Sequence, residues 1–264
     1  MNLENSKSEK LRENKMMISF YEEFPAKEAL SKLKLIDFPS KLYVAAKNLD
    51  DFNKIKKTVN KINKKITDVA YWPILSKEEG YWLSPFSETK ALERALNEIK
   101  NRKDKTELTV MWDAELPFMN KGLFFRNFFS FLGNRKTIKD FFRNYSRYNV
   151  EIVTAEYVFD GFFINFLTGI PKNGEYYRTK MYYTSMIKGI FLKNIIKNQI
   201  KNCVQKYKKH AKVAVGTIAK GILGNEAILT PDELEKDLNF LKTRGVEEAV
   251  IFRLGGLNKK YVEV

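Results

Sequence analysis

Eight times along this chain, a short run rich in β-branched and aromatic residues gives way to a longer run of helical period. That alternation limits the folds open to it. The strand candidates are MMISFYEEF (16–24), KLYVAAK (41–47), ITDVAYWPIL (66–75), ELTVMWDAEL (107–116), VEIVTAEYVF (150–159), YYRTKMYYTSMI (176–187), KVAVGTIAKGI (212–222) and EAVIFRLGGL (248–257). Between them lie segments such as LDDFNKIKKTVNKINK, in which Phe52, Ile55, Val59 and Ile62 recur at spacings of three and four. PAKEALSKLKLI reads as a helix with proline in its first turn. Before the last strand, Thr230 reads as an N-cap with Pro231 behind it and Glu233 completing a capping box, and Gly245 closes that helix. NKKYVEV begins a further helix that the chain end cuts short. Strands that alternate with helices pair in parallel. Eight such units in about 250 residues match a (β/α)₈ TIM barrel in count and length. An open doubly wound sheet also alternates, but no G-x-G-x-x-G or P-loop turn follows any strand. The reading is one barrel domain at 16–264, preceded by a polar tail at 1–15, disordered or loosely helical.

Composition narrows the functional classes. The formal charge of +15 favours anionic partners such as nucleic acid, acidic or phosphorylated substrates, or a membrane surface. The lysines are nevertheless spread along the chain with no dense basic block, as on an ordinary solvated surface. The lone cysteine, Cys203, excludes an internal disulfide and fits a cytoplasmic setting. The lone histidine, His210, rules out multi-histidine metal sites and argues against a Ser–His triad, so no cofactor is expected. No stretch reaches the roughly 18 apolar residues of a membrane span, and the N-terminus lacks the apolar core of a signal peptide.

In such a barrel the active-site groups lie at the C-terminal ends of the strands. There the chain places Glu22 and Glu23, then Lys47, then Tyr71 and Trp72 with Tyr81 and Trp82 in the following loop. Further round come Trp112, Asp113 and Glu115, Glu156 and Tyr157, Tyr182, Tyr183 and Ser185, Thr217 and Lys220, and Arg253 before Gly255 and Gly256. Aromatic faces stack on pyranose rings, while carboxylates bind hydroxyls and supply acid and base. In VMWDAELP, Asp113 and Glu115 are two apart and share a face. Such neighbours raise each other's pKa, so that one stays protonated at neutral pH, and Glu156 on the next strand is a candidate second carboxylate. The expected substrate-binding residues are Glu22, Trp72, Trp112, Tyr182, Tyr183, Lys220 and Arg253.

WDAE at the end of the fourth strand and MYYTS at the sixth resemble the family 18 glycoside hydrolases, the chitinase-like barrels, which carry D-x-x-D-x-D-x-E and Met-x-Tyr at these places. The resemblance implies that Glu115 is the acid, that Asp113 holds the substrate's acetamido group and that Tyr183 or Tyr182 donates a hydrogen bond to it. Met111 stands where the family has a further aspartate, AYWPIL replaces its glycine-rich third strand, and Phe252 and Arg253 lie where it has a tryptophan. The reading is therefore a carbohydrate-directed enzyme or a degenerate relative.

Two other readings stay open. RLGG (253–256) with Lys220 would suit an isomerase or lyase of a phosphorylated metabolite, with the loop as a phosphate cup. The charge would suit a non-catalytic protein that binds nucleic acid or anionic lipid. Asp113 and Glu115 also fit a plain solvated strand end, and Glu22 and Glu23 fit the dipole of the next helix. The band KGLFFRNFFSF (121–131) either packs on the barrel or forms an apolar patch for a partner or membrane surface.

Overall fold

The eight β-rich runs close into a single ring of parallel strands, in the order β1 to β8. In the computed structural model, which describes residues 16–116, 122–159, 161–187 and 189–264, these are β1 (Met17–Glu22), β2 (Ser40–Ala46), β3 (Ile66–Pro73), β4 (Leu108–Asp113), β5 (Val150–Glu156), β6 (Tyr177–Tyr182), β7 (Ala211–Gly216) and β8 (Glu248–Phe252). The ring closes through β1 on β8, with Met17 beside Glu248 and Tyr21 beside Phe252. The tail at 1–15 lies outside the described residues.

Described helices surround the ring: α1 (Lys27–Ser31), α2 (Leu49–Ile62), α3 (Thr89–Lys100), α4 (Gly122–Arg126), α5 (Phe131–Asn144), α6 (Phe162–Thr168), α7 (Ile190–Tyr207), α8 (Pro231–Thr243) and α9 (Lys259–Val262). The capping box at Thr230 forms as its sequence requires: the threonine hydroxyl accepts from the Glu233 backbone N–H, and the Glu233 carboxylate accepts from that of Thr230. Gly245 follows α8 with φ 72°, a conformation natural to glycine. The segment after Pro25 is shorter than its pattern. It holds one α turn and then a 3₁₀ turn at Lys32–Leu35, and Pro25 precedes the N-cap residue Ala26.

Period-two alternation sorts the strand side chains into two cores. One faces outward to the helices and includes Leu42, Val44, Tyr71, Val110, Trp112, Ile152, Val213 and Val215. The other fills the barrel with Tyr21, Tyr43, Ala45, Ala70, Trp72, Met111, Val153, Ala155, Ala214 and Val250. Several strand candidates overran the paired segment: the apolar patterns ending at 116, 159, 187, 222 and 257 stop pairing at Asp113, Glu156, Tyr182, Gly216 and Phe252. The chain keeps its alternation beyond the last ladder bond because those residues line a cavity or cover the wall.

Candidate active site

A cavity of about 230 Å³ opens at the C-terminal end of the barrel. Its floor is the upper layer of the barrel core, with Trp72, Met111, Ala155 and Phe252. Its acidic lining is Asp113, Glu115, Glu23 and Glu226. Asp113 closes β4 and Glu115 lies two residues on, so the strand's own alternation sends both inward. Glu23 follows from β1 in the same way as Tyr21. Glu226 comes from the loop after β7.

No lysine or arginine is among the described lining residues. The carboxyls therefore repel one another, and Arg253, outside the lining, offsets only part of the burial of Glu23. Burial, then the charges of Glu115 and Glu23, push Asp113 well above the ordinary carboxylate range, although the Trp82 side chain hydrogen-bonds it. Burial, then Glu23 and Glu226, raise Glu115 to about 7. Burial likewise raises Glu23 to about 7, against hydrogen bonds from Tyr81 Oη at 2.8 Å and the Ile222 N–H at 2.9 Å. The lining thus holds protons near neutrality, the condition a general acid needs. Among the described residues, Asp113 Oδ1, Glu226 Oε2, Tyr21 Oη and Trp72 Nε1 are buried without hydrogen-bond partners, leaving acceptors and donors for a polar guest.

The aromatic part is continuous. Tyr21 meets Trp72 at 5.8 Å and Phe252 at 6.4 Å between ring centroids, and Tyr183 meets Phe252 at 5.8 Å. Burial, then the charges of Tyr21, Glu115 and Asp113, keep the Tyr183 phenol protonated, so it serves as a donor. Gly221 lets the loop after β7 close over this wall: a Cβ there would come within 2.9 Å of both the Glu23 and the Glu226 carboxylates.

Of the residues expected from sequence, Asp113, Glu115, Trp72 and Tyr183 meet in this cavity. Glu23, Trp82, Tyr157 and Thr217, placed by the sequence at the strand ends, line it too, whereas Glu156, Glu22, Trp112, Tyr182, Lys220 and Arg253 do not. Trp112 points out of the barrel and packs edge-on against Phe142 of α5 at 5.1 Å. Tyr182 also points outward, beside Phe240 of α8 at 5.7 Å. Glu156 faces the outer wall, where it is held by Arg178 and Lys180, each at 2.9 Å. Each of these three is one residue out of phase with an inward neighbour, namely Asp113, Tyr183 and Tyr157.

Glu22 is out of phase with Glu23. Its carboxylate accepts from Arg253 Nη1, the Gly255 N–H and the Phe24 N–H, each at 2.7 Å. It thus fills from within the anion cup that RLGG suggested. Lys220 is exposed and outside the cavity; its carbonyl accepts from Arg253 Nε at 2.9 Å. Period two could have found Tyr21 and Glu23 on the inner face of β1. Nothing periodic marks Glu226.

No family model matches the chain, and no curated protein matches it. Among solved structures it is similar to the spore cortex-lytic enzyme SleL of Bacillus megaterium, at 10% identity and TM-score 0.49, over 94% of this chain and 72% of that one. It is also similar to a family GH18 chitinase from Cycas revoluta in complex with allosamidin, at 9% identity and TM-score 0.49, over 94% and 96% of the two chains.

Proposed function

We propose that the chain is a glycoside hydrolase-like barrel that cleaves a neutral carbohydrate, with Glu115 as its general acid. One observation carries this reading. Asp113 and Glu115 stand side by side in a cavity with no cation among its described lining residues, and so retain protons near neutral pH. Glu115 gives its proton to the glycosidic oxygen as the C1–O bond breaks and the bonding pair leaves with that oxygen. With Glu156 engaged by two cations outside the barrel, the developing positive centre needs another partner. An N-acetyl sugar carries its own: the acetamido oxygen adds to C1 while Asp113 and Tyr183 hold the group. Water then opens the adduct at C1 and returns its proton to the Glu115 carboxylate. Trp72 supplies a face for the ring.

The acidic lining disfavours a phosphorylated substrate, as does the closure of the RLGG cup by Glu22. The test is hydrolysis of chromogenic N-acetylglucosamine oligomers. Glu115→Gln should lower kcat about 10²–10⁴-fold with the fold intact, and full activity in that variant ends the assignment. The acid must be protonated, so activity should decline as the pH rises through about 7.

A further inference from the structure

Away from the cavity, the chain exposes a band of large apolar side chains. Phe125 and Phe129 are 84% and 93% exposed, Phe162 86% and Phe191 80%, and Phe128, Phe163 and Leu132 also stand in solvent. They lie in the connections after β4, β5 and β6, at or before the starts of α5, α6 and α7, and hence at the same end of the barrel as the cavity mouth. The first two groups share one foundation. Phe131 meets Phe166 at 5.4 Å, and Phe166 meets Phe162 at 6.3 Å. Arg135 lies 4.5 Å over the Phe166 ring and donates to its carbonyl at 3.0 Å, which sets a cation into the aromatic layer. A second cavity of about 490 Å³ opens here, lined by Phe162, Arg135, Lys139 and Lys172 among others.

The same stretch of the chain is also the basic one. Residues 122–210 carry sixteen Lys or Arg against five Asp or Glu, whereas 16–116 carry eighteen against sixteen and 211–264 eight against eight. Eleven of the fifteen net positive charges thus fall on the third of the chain that bears the exposed rings. The lysines are evenly spread; the acids are what this third lacks. Lys139, slightly desolvated and beside Arg135 and Arg143, is held below the usual lysine range.

We propose that this face docks on an anionic lipid bilayer, with the phenylalanines entering the interfacial layer and the basic side chains meeting the headgroups. Stable peripheral binding takes an apolar and a basic signal together, and this face carries both. Pairing with a second copy of the chain would set two strongly positive faces against each other.

The test is co-sedimentation of the full chain with vesicles of phosphatidylcholine alone and of phosphatidylcholine mixed with an equal part of phosphatidylglycerol. Binding to the mixed vesicles only, weakened by salt, is expected. Phe125→Ser/Phe129→Ser/Phe162→Ser should lose at least about tenfold in partitioning, and Lys136→Glu/Lys172→Glu a similar amount. All five side chains are exposed, and unchanged thermal unfolding verifies that the fold is kept. No binding to mixed vesicles, or equal binding by the phenylalanine variant, overturns the proposal. So does a phenylalanine variant that changes only the oligomeric state, or only the retention of single-stranded oligonucleotides.

Discussion

The two ends of the barrel interior both bury carboxylates, and they treat them in opposite ways. At the N-terminal end, Glu248 accepts from Lys212 at 3.0 Å, Tyr43 Oη at 2.7 Å and Ser19 Oγ at 2.9 Å, with Lys41 at 3.7 Å. Burial opposes its ionisation, but the charges of Lys212 and Lys41 and the Tyr43 hydrogen bond hold it below the ordinary range. At the C-terminal end no lysine or arginine is among the described residues lining the cavity, Arg253 offsets the burial of Glu23 only in part, and Asp113, Glu115 and Glu23 are all raised. The same ring of strands thus closes one end with a satisfied ion network and keeps the other electrostatically frustrated. Such frustration is what the proposed general acid requires, whereas the paired end is satisfied as a structural ion network is.

This contrast can be broken from either end. Lys212→Met leaves Glu248 buried without its nearest cation and should cost about 3–5 kcal/mol of stability by urea unfolding. A loss below about 1 kcal/mol would show the lower network to be dispensable. The upper end should respond in the opposite sense. A carboxyl whose folded pKa exceeds its unfolded value holds its proton more tightly in the native state. Glu23 therefore adds no penalty below about pH 4.5 and its full penalty once the pH passes about 7. Glu23→Gln should remove a decline on the order of 3 kcal/mol across that window, and an unchanged pH profile would contradict the raised pKa. Lys220→Ala should be the quietest change, within about 0.5 kcal/mol in stability and without effect on hydrolysis. A collapse of activity there would revive a lysine-based lyase.

Much of this was legible from residue order. Periodicity alone gave the eight strands, and the two-residue spacing of Asp113 and Glu115 placed them on one face. The misplacements share one cause. Sequence patterns locate a strand end to within a residue or so, but one residue decides between cavity and outer wall. Trp112 cannot face the same way as Asp113 in an extended strand, nor Tyr182 the same way as Tyr183, so accepting both of either pair ensured that one was misplaced. At β1 the slip chose Glu22 over Glu23 for the binding set. Glu156 failed for a second reason: Arg178 lies 22 residues on, and Lys180 24, and only the β5–β6 register brings them onto it. Glu226 sits in an irregular loop, where no period operates. The lopsided charge was visible in the composition of each third, but only by counting the acids.

Glu22 has a consequence for what the mouth will admit. Barrels commonly offer a guest phosphate the backbone amides that follow their last strands. Here a resident carboxylate already occupies that seat and pairs with the Arg253 guanidinium at 2.7 Å. Uronic acids, sulfated sugars and hexose phosphates would therefore meet a lining with no lysine or arginine among its described residues. On the proposed function, the mouth would screen visitors by polarity before any contact with a sugar ring and favour uncharged glycans.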